Sequence, residues 1–542
     1  MSQAGGKPAG RAGLVAGPVG NAPGEGDGGA GRRRRRLVLA ACSLSLFMVT
    51  LDNTIVNVAL PSLQRQFHAS VPELQWVADA YLLVLAALLL FAGSLGDRFG
   101  RRRVLRTGLV LFGAGSLACS LSVSLPMLIA FRMMQACGGC MLNPNSLSII
   151  SDTFRDPRER AAAIGVWGGV VGISTAAGPV LGGALIQAID WRSIFWVNVP
   201  VVAIALVLIA AFVPESKSAH PRRVDPAGQL LGIVVLGALT YGIIEGPAKG
   251  WTSPWILACG AVTVLGTATF LAVERHQSQP LLELRFFRSP PFSGATAIAV
   301  LAFVVLAGWL FLNTLYLQEV RHYSPLMAGA AALPATIVIV VVSPLTGRIV
   351  GHRGTRGPLT IAGLLLMAGA GLLALVQPRW PYLDLAGCYL FIGLGFGMVN
   401  PPITNTAVSG MPLSQSGVAA AVASTARQLG SVLGVAVLGS VVTAGMHGQV
   451  AARLKDSGLP AAVRDRLAAS SLSSGGLDSR DLPPRAARIA GEAFTAATHT
   501  GWLLAAGCGL LVAVLAWFTA SPAARAVAER VMKRAQAAPS VP

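Results

Sequence analysis

The sequence predicts an all-α polytopic membrane protein, and three observations carry that expectation. Of its 542 residues, 54% are hydrophobic and only 12% are charged, against about 25% charged in soluble domains. The apolar residues gather in runs of roughly 18 or more, long enough to cross the hydrocarbon core of a bilayer as helices. Lys and Arg fall mostly between those runs. The net charge of +19 therefore reads as topology and lipid-headgroup contact. No nucleic-acid partner is expected.

Residues 1–36 form a tail: a Gly-, Ala- and Pro-rich stretch without apolar periodicity, expected to be disordered, ending in Arg32–Arg36. The run that follows is too long for a cleavable signal peptide and lacks a small-residue cleavage site, so it reads as a retained first span. Apolar segments then lie near 37–60, 74–95, 104–123, 127–150, 161–188, 194–213, 227–246, 254–273, 293–318, 327–350, 358–376, 386–408, 415–444 and 498–519. That makes fourteen spans, with both termini on one side. With the termini inside, cytoplasmic tails and loops hold 28 Lys and Arg against five in the short outer loops, so the termini are expected in the cytoplasm. The expected divisions are a six-helix bundle at 37–213, a two-helix insert with its linkers at 214–290, and a second bundle at 291–519. A long outer loop at 445–497 and a cytoplasmic tail at 520–542 complete the chain.

An internal repeat supports two halves. Gly93-Ser-Leu-Gly-Asp97-Arg98-Phe-Gly100-Arg101-Arg102 follows span two, and Gly347-Arg-Ile-Val-Gly351-His-Arg-Gly-Thr-Arg follows span ten. Glycines allow a tight turn and close helix contact. Asp97 can pair with an Arg at a helix end and latch the halves until the contact breaks. The second copy has Gly351 in its place, so the latch is one-sided.

Two ionisable residues lie deep in the first half. Asp52 precedes Pro61 by nine residues, about 13 Å from the outer end of span one. A carboxylate at that depth is a functional candidate, because leaving it unpaired and dry costs several kcal/mol. Burial favours the neutral acid and a nearby cation favours the carboxylate, an opposition that suits a proton carrier. Arg132, in span four, falls at a similar depth, so the two are expected to communicate directly or through Asn57, Gln135 or water. Arg keeps its proton and would respond to the carboxylate's charge.

Span five carries glycines at helical spacing, Gly172, Gly178, Gly182 and Gly183 among them, with Pro179 kinking the helix. Candidate cargo-pocket residues are Asn57, Tyr81, Met133, Gln135, Trp167, Trp309, Asn313, Tyr316 and Arg427, since a flexible aromatic and Met lining suits varied apolar compounds. Asp79 and Glu245 lie near outer span ends, where a solvated interfacial role is expected. All seven cysteines sit in apolar segments, and Cys137-Gly-Gly-Cys140 reads as small-residue packing. No metal pair, catalytic constellation or P-loop is present, so ATP-driven transport and enzymatic activity are not expected.

The loop at Gly93–Arg102, the span-one run Leu51-Asp52-Asn-Thr-Ile-Val-Asn57-Val-Ala-Leu60-Pro61, Arg132-Met-Met-Gln135 and the Gly178-Pro179-x-x-Gly182-Gly183 core together resemble the major facilitator superfamily. In particular they resemble its fourteen-span drug:proton antiporters of the EmrB/QacA type. Trp191-Arg192 through Asn198-Val-Pro200 and Arg427-Gln428-Leu-Gly430 are further echoes. Ala136 departs from the family's usual Gly after Gln135. The resemblance implies alternating access by two six-helix bundles, export of a small hydrophobic or cationic compound, proton coupling through Asp52 and Arg132, and the cell membrane of a bacterium (the inner membrane) as location. It implies no cofactor beyond the proton-motive force, and a functional monomer. A proton-linked uptake symporter or facilitator, or a non-transporting sensor on the same fold, remains the alternative.

Overall fold

Prolines and small polar caps set where most helices begin. Ser70 and Glu73 form a capping box at the start of the second helix, the Ser70 N–H donating to Glu73 at 2.8 Å. Asp156 accepts from the N–H groups of Arg158 and Glu159 at the start of the fifth, and Ser324 and Ser253 cap two later ones. Satisfying these ends matters in a bilayer, where an unpaired backbone group meets no water.

The computed structural model describes residues 29–217, 225–277, 284–408, 416–455 and 483–519, with isolated positions at 460, 463, 464, 521 and 524. Among them no strand occurs. The helices of the first half are α1 (Gly29–Phe67), α2 (Val71–Phe99), α3 (Arg101–Ser120), α4 (Leu125–Thr153), α5 (Pro157–Ala188), α6 (Ser193–Trp196) and α7 (Asn198–Phe212). A hairpin of α8 (Pro226–Lys249) and α9 (Pro254–His276) follows. The second half comprises α10 (Pro290–Leu315), α11 (Pro325–Ala331), α12 (Leu333–Arg353), α13 (Arg356–Leu373), α14 (Tyr382–Val408), α15 (Ser416–Lys455) and α16 (Pro484–Thr519).

Among the described residues, thirteen helical segments are long and apolar enough to cross a membrane. Helix α3, which opens on three arginines, falls outside that set yet runs beside α4. Two expected spans are broken by proline, which lacks the N–H its helix needs four residues back. Pro200, in the first turn of α7, follows the break after α6, and Pro334, in the first turn of α12, follows the break after α11. Helix α10 ends in a π-helical turn at Tyr316–Val320.

In the first half α1 packs on α5, and α4 on α2 and α3; in the second α10 packs on α15, α14 on α12, and α13 on α14 and α16. The halves meet along α2 with α15, α5 with α11 and α12, and α1 with α10. Helix α8 lies against α2 and α15 at their seam, and α9 packs on α8.

Three boundaries differ from expectation. Residues 29–36 already belong to α1, so Arg32–Arg36 are helical; Arg35 reaches Glu159 at 3.0 Å and Arg34 the Phe212 carbonyl at 3.3 Å. The stretch 445–497 is not a single loop: α15 runs on to Lys455 and α16 begins at Pro484. Alanine-rich helix continues there past the apolar limit of the spans, because alanine favours helix whatever the hydropathy. Residues 1–28 and nearly all of 520–542 lie outside the described residues.

Candidate functional site

Arg132 and Gln135 are three residues apart on α4 and so share a face. That face meets Asp52 of α1. Arg132 donates to one carboxylate oxygen of Asp52 and, at 3.0 Å, to the Gln135 side-chain carbonyl. Gln135 donates to the other carboxylate oxygen at 2.8 Å, and Asn198 from α7 donates to the same oxygen at 3.2 Å. Asn198 is held in turn by Ser116 of α3 at 3.0 Å, whose hydroxyl donates to the Phe195 carbonyl at 2.9 Å. The Arg132 Nε donates to the Val77 carbonyl of α2 at 3.3 Å, and the guanidinium lies 4.3 Å from the Tyr81 ring centroid.

All of these side chains are buried, Asp52 at 0% exposure and Arg132 at 1%. Such a pair is tolerable only because donors satisfy both carboxylate oxygens and an aromatic face covers the cation. Its chemistry is that of a charge switch. A proton on Asp52 would occupy an acceptor site and cancel the charge that holds Arg132, leaving an obligate cation buried without its anion.

Asn198 and Ser116 complete this constellation and were not among the sequence candidates. The signal was a polar residue just inside an apolar span, two residues before Pro200. Asn57, expected as a possible bridge, donates instead to the Asn53 carbonyl of its own helix at 2.9 Å. The other pocket candidates divide into groups. Trp309, Asn313 and Tyr316 gather around α14 and its approach: Trp309 packs edge-on against Tyr389 with centroids 5.5 Å apart, the Tyr389 hydroxyl donates to Asn313, and Tyr316 donates to the Gln377 carbonyl at 3.1 Å. Arg427 donates to Thr404 at 3.2 Å and Ser424 at 2.7 Å. Met133 is exposed, and Trp167 is half-buried and packs on the cluster that contains Tyr81.

Helix α5 connects the Asp52 helix to the other half. Gly178 lies against Thr54 and Ile55 of α1, and a Cβ there would come within 2.8 Å of the Thr54 Cβ. Gly182 also meets Ile55. Gly183 faces across the seam, where a Cβ would stand 2.7 Å from the Leu326 Cα of α11; Gly172 meets Val340 of α12, and the Pro179 carbonyl meets Gly329.

The Gly93–Arg102 loop is built within the first half. Gly100 adopts a φ of +107°, which suits the absence of a Cβ, and the Glu215 carboxylate accepts from the Arg102 N–H at 3.1 Å. Arg101 grips Asp97 at 2.9 and 3.1 Å and also reaches Asp152 at the end of α4. Arg102 donates to the Ala210 carbonyl at 2.7 Å, Arg98 lies over Phe99, and Gly93 abuts Pro144. The expected latch between the halves is therefore not engaged in this conformation: the i, i+4 pairing with Arg101 keeps Asp97 within its own bundle.

The seam between the halves differs at its two faces. At the face away from the Gly100 loop, Arg65 pairs with Glu319 at 3.1 Å. Gln318 donates to the Val58 carbonyl at 3.0 Å, and Gln75 donates to the carbonyls of Val435 and Ala436 at 2.9 Å each. At the loop face, a Cβ on Gly165, Gly168 or Gly169 of α5, or on Gly347 or Gly351 of α12, would meet nothing within 4 Å among the described residues. One face is closed by polar contacts, and small residues near the other stand clear.

Two acidic residues near that closed face behave differently from each other. Glu245 accepts from the Trp76 indole at 3.0 Å and pairs with Lys249 at 3.3 Å. Asp79, expected to be solvated, has 0% exposure, and neither carboxylate oxygen has a hydrogen-bond partner among the described residues. Distance from the helix end did not reveal that α8 and α15 cover this part of α2.

The model of the Major Facilitator Superfamily matches residues 42–435. The chain is 40% identical over 406 residues to the multidrug resistance protein Stp of Mycobacterium tuberculosis (strain CDC 1551 / Oshkosh), covering 75% of each chain. It is 34% identical over 505 residues to the tetracenomycin C resistance and export protein of Streptomyces glaucescens, covering 91% of this chain and 93% of that one. In fold it is similar to a bacterial homologue of the human lysosomal transporter Spinster in an inward-facing, unoccupied conformation, with a TM-score of 0.64, 17% identity and coverage of 92% and 98%. With these matches and its many bilayer-length helices, the chain is a multi-pass membrane protein that belongs to the Major Facilitator Superfamily.

Proposed function

We propose that the protein exports small hydrophobic or cationic compounds in exchange for protons, by alternating access of its two halves. The observation that carries this reading is the fully buried Asp52 carboxylate, held by Arg132, Gln135 and Asn198. The names of the similar resistance and export proteins support efflux. In this reading α3 is the third of fourteen spans, both termini and the Gly100 loop lie in the cytoplasm, and the bacterial inner membrane is the site of action. A monomer suffices, since each half supplies one side of the seam.

With Asp52 ionised and paired to Arg132, the cytoplasmic side is open and accepts cargo, while the Arg65–Glu319 face is shut. After the halves rock, a proton from outside neutralises Asp52 and Arg132 loses its anion. Removing one partner of a buried pair costs about 3–5 kcal/mol, most of the roughly 5.5 kcal/mol that takes a two-state equilibrium from 1:99 to 99:1. Gly178 and Gly182 against α1, and Gly183 against α11, make α5 the element that carries this change to the seam. Proton and cargo then compete through linked states without needing to touch.

The test is proton-driven uptake of a fluorescent cation into everted vesicles. Asp52→Asn should abolish the protonophore-sensitive part; uptake at the wild-type rate would remove Asp52 from the mechanism.

A further inference from the structure

We propose that Asp79 is a second proton-binding carboxyl, and that protonation there permits the Arg65–Glu319 face to close. This rests on the proton-linked reading of the transport cycle given above.

Asp79 sits on the side of α2 that faces the seam. One turn earlier, Gln75 donates to two carbonyls of α15, and Trp76 donates to Glu245 of α8. Residue 79 is four places from the first and three from the second, so it shares their face. Ser440 ties α15 to α8 by donating to the Ile243 carbonyl at 2.7 Å. The opposite side of α2 serves the Asp52 cluster, through the Val77 carbonyl and the Tyr81 ring. Val77 and Asp79 are about 3 Å apart along the axis. One helix thus carries the Arg132 site on one side and an unpartnered carboxyl on the other, at nearly the same depth.

The ionisable groups of the surrounding helices are engaged with other partners or lie at the helix ends. Arg132 of α4 is bonded to Asp52 of α1 and stacked on Tyr81, and Arg65 of α1 is paired with Glu319. On α8, Glu245 holds Trp76 and Lys249, Lys249 also reaches Tyr241, and Asp225 caps the far end through Gly228. On α15, Arg427 bonds to Thr404 and Ser424, and Arg453 to Gln449. At the start of α3, Arg101 holds Asp97 and Asp152, and Arg102, Arg103 and Arg106 share that loop end. None of them donates to Asp79.

A charge placed at Asp79 in the closed seam would be dry and without a donor, whereas a neutral acid is tolerated far better. When α2 and α15 part, water reaches the junction and the charged form becomes affordable. The closed arrangement therefore binds one proton more tightly than the open one, and acidity on that side favours closure. The carboxyl takes the proton from the medium when the face is open and keeps it as the seam shuts.

The experiment uses the full chain in nanodiscs. Fluorophores on unnatural amino acids at exposed Val123 and Ala451, one on each half, report the separation of the closed face by energy transfer. In an Asp52→Asn background, which removes the titration of the Arg132 site, the closed-to-open ratio should rise as pH falls, approaching tenfold per pH unit, the limit for one linked proton. Adding Asp79→Asn, neutral at every pH, should leave the face closed throughout. A double variant with the response of Asp52→Asn alone would overturn the proposal. So would one that keeps that response while losing a cationic but not a neutral cargo, which would make Asp79 a cargo contact. Proton-driven flux of the wild type in liposomes separates the two readings: without it the exchange mechanism itself fails, and with it a double variant that keeps the response refutes only this inference.

Discussion

Arg65 of α1 and Glu319 of the π-helical turn after α10 meet across the seam at 3.1 Å, with the Glu319 side chain only 4% exposed. A π-turn widens the helix and re-aims its side chains, and such turns recur at functional positions. Here it presents Gln318 and Glu319 together to α1, where they meet the Val58 carbonyl and Arg65. Replacing Glu319 by Gln should weaken closure of this face by about 1–3 kcal/mol, the range for loss of a charged hydrogen bond in a largely buried place. The closed-to-open ratio, read by energy transfer across the face, should fall about five-fold or more. An unchanged closed fraction would show that the pair is incidental.

Glycine substitutions on α5 should separate packed from open positions. Gly183→Ala places a Cβ 2.7 Å from the Leu326 Cα, a backbone atom that cannot swing aside, whereas Gly168→Ala meets nothing within 4 Å. The first should lower thermal stability in detergent by about 1–3 kcal/mol. The second should leave it unchanged or raise it, since alanine favours helix by about 1 kcal/mol over glycine. Equal effects at the two positions would contradict the packing described for this seam.

Much of this was legible in the sequence because it depended on local spacing. The depths of Asp52 and Arg132 followed from the rise of a helix, and Gln135 shares the Arg132 face by its spacing alone. Asn198 required knowing that α7 returns beside α1 and α3, which no local pattern encodes. Asp79 was misplaced for the same reason: its distance from the helix end is right, but burial is decided by α8 and α15. The helical stretches within 445–497 are not legible in hydropathy because the apolar pattern stops before the helix does.

Asn198→Ala tests the part that local pattern missed. It removes one donor from the Asp52 carboxylate, a loss of about 1.5–3 kcal/mol for a hydrogen bond to a charge. The ionised form is the one that loses, so the protonophore-sensitive part of cargo uptake should fall more than gradient-free cargo exchange does. An equal loss of both would mean that Asn198 supports the fold alone.

Arg101 should not be replaceable by Lys. Its guanidinium spans Asp97 on α2 and Asp152 on α4 at once, a two-pronged contact that a single ammonium does not reproduce. Arg101→Lys should slow transport several-fold with normal membrane insertion, measured as vesicle uptake per molecule of protein. Full activity in the Lys variant would show that any positive charge serves there.

The most direct measurement of the central claim is the simultaneous flux of protons and cargo through purified protein in liposomes. In the wild type, an inward proton gradient should drive cargo outward, and cargo movement should dissipate the gradient. In Asp52→Asn, cargo should still exchange across the membrane when no gradient is present, while neither flux drives the other. Coupled fluxes in the Asp52→Asn protein at the wild-type ratio would contradict the claim.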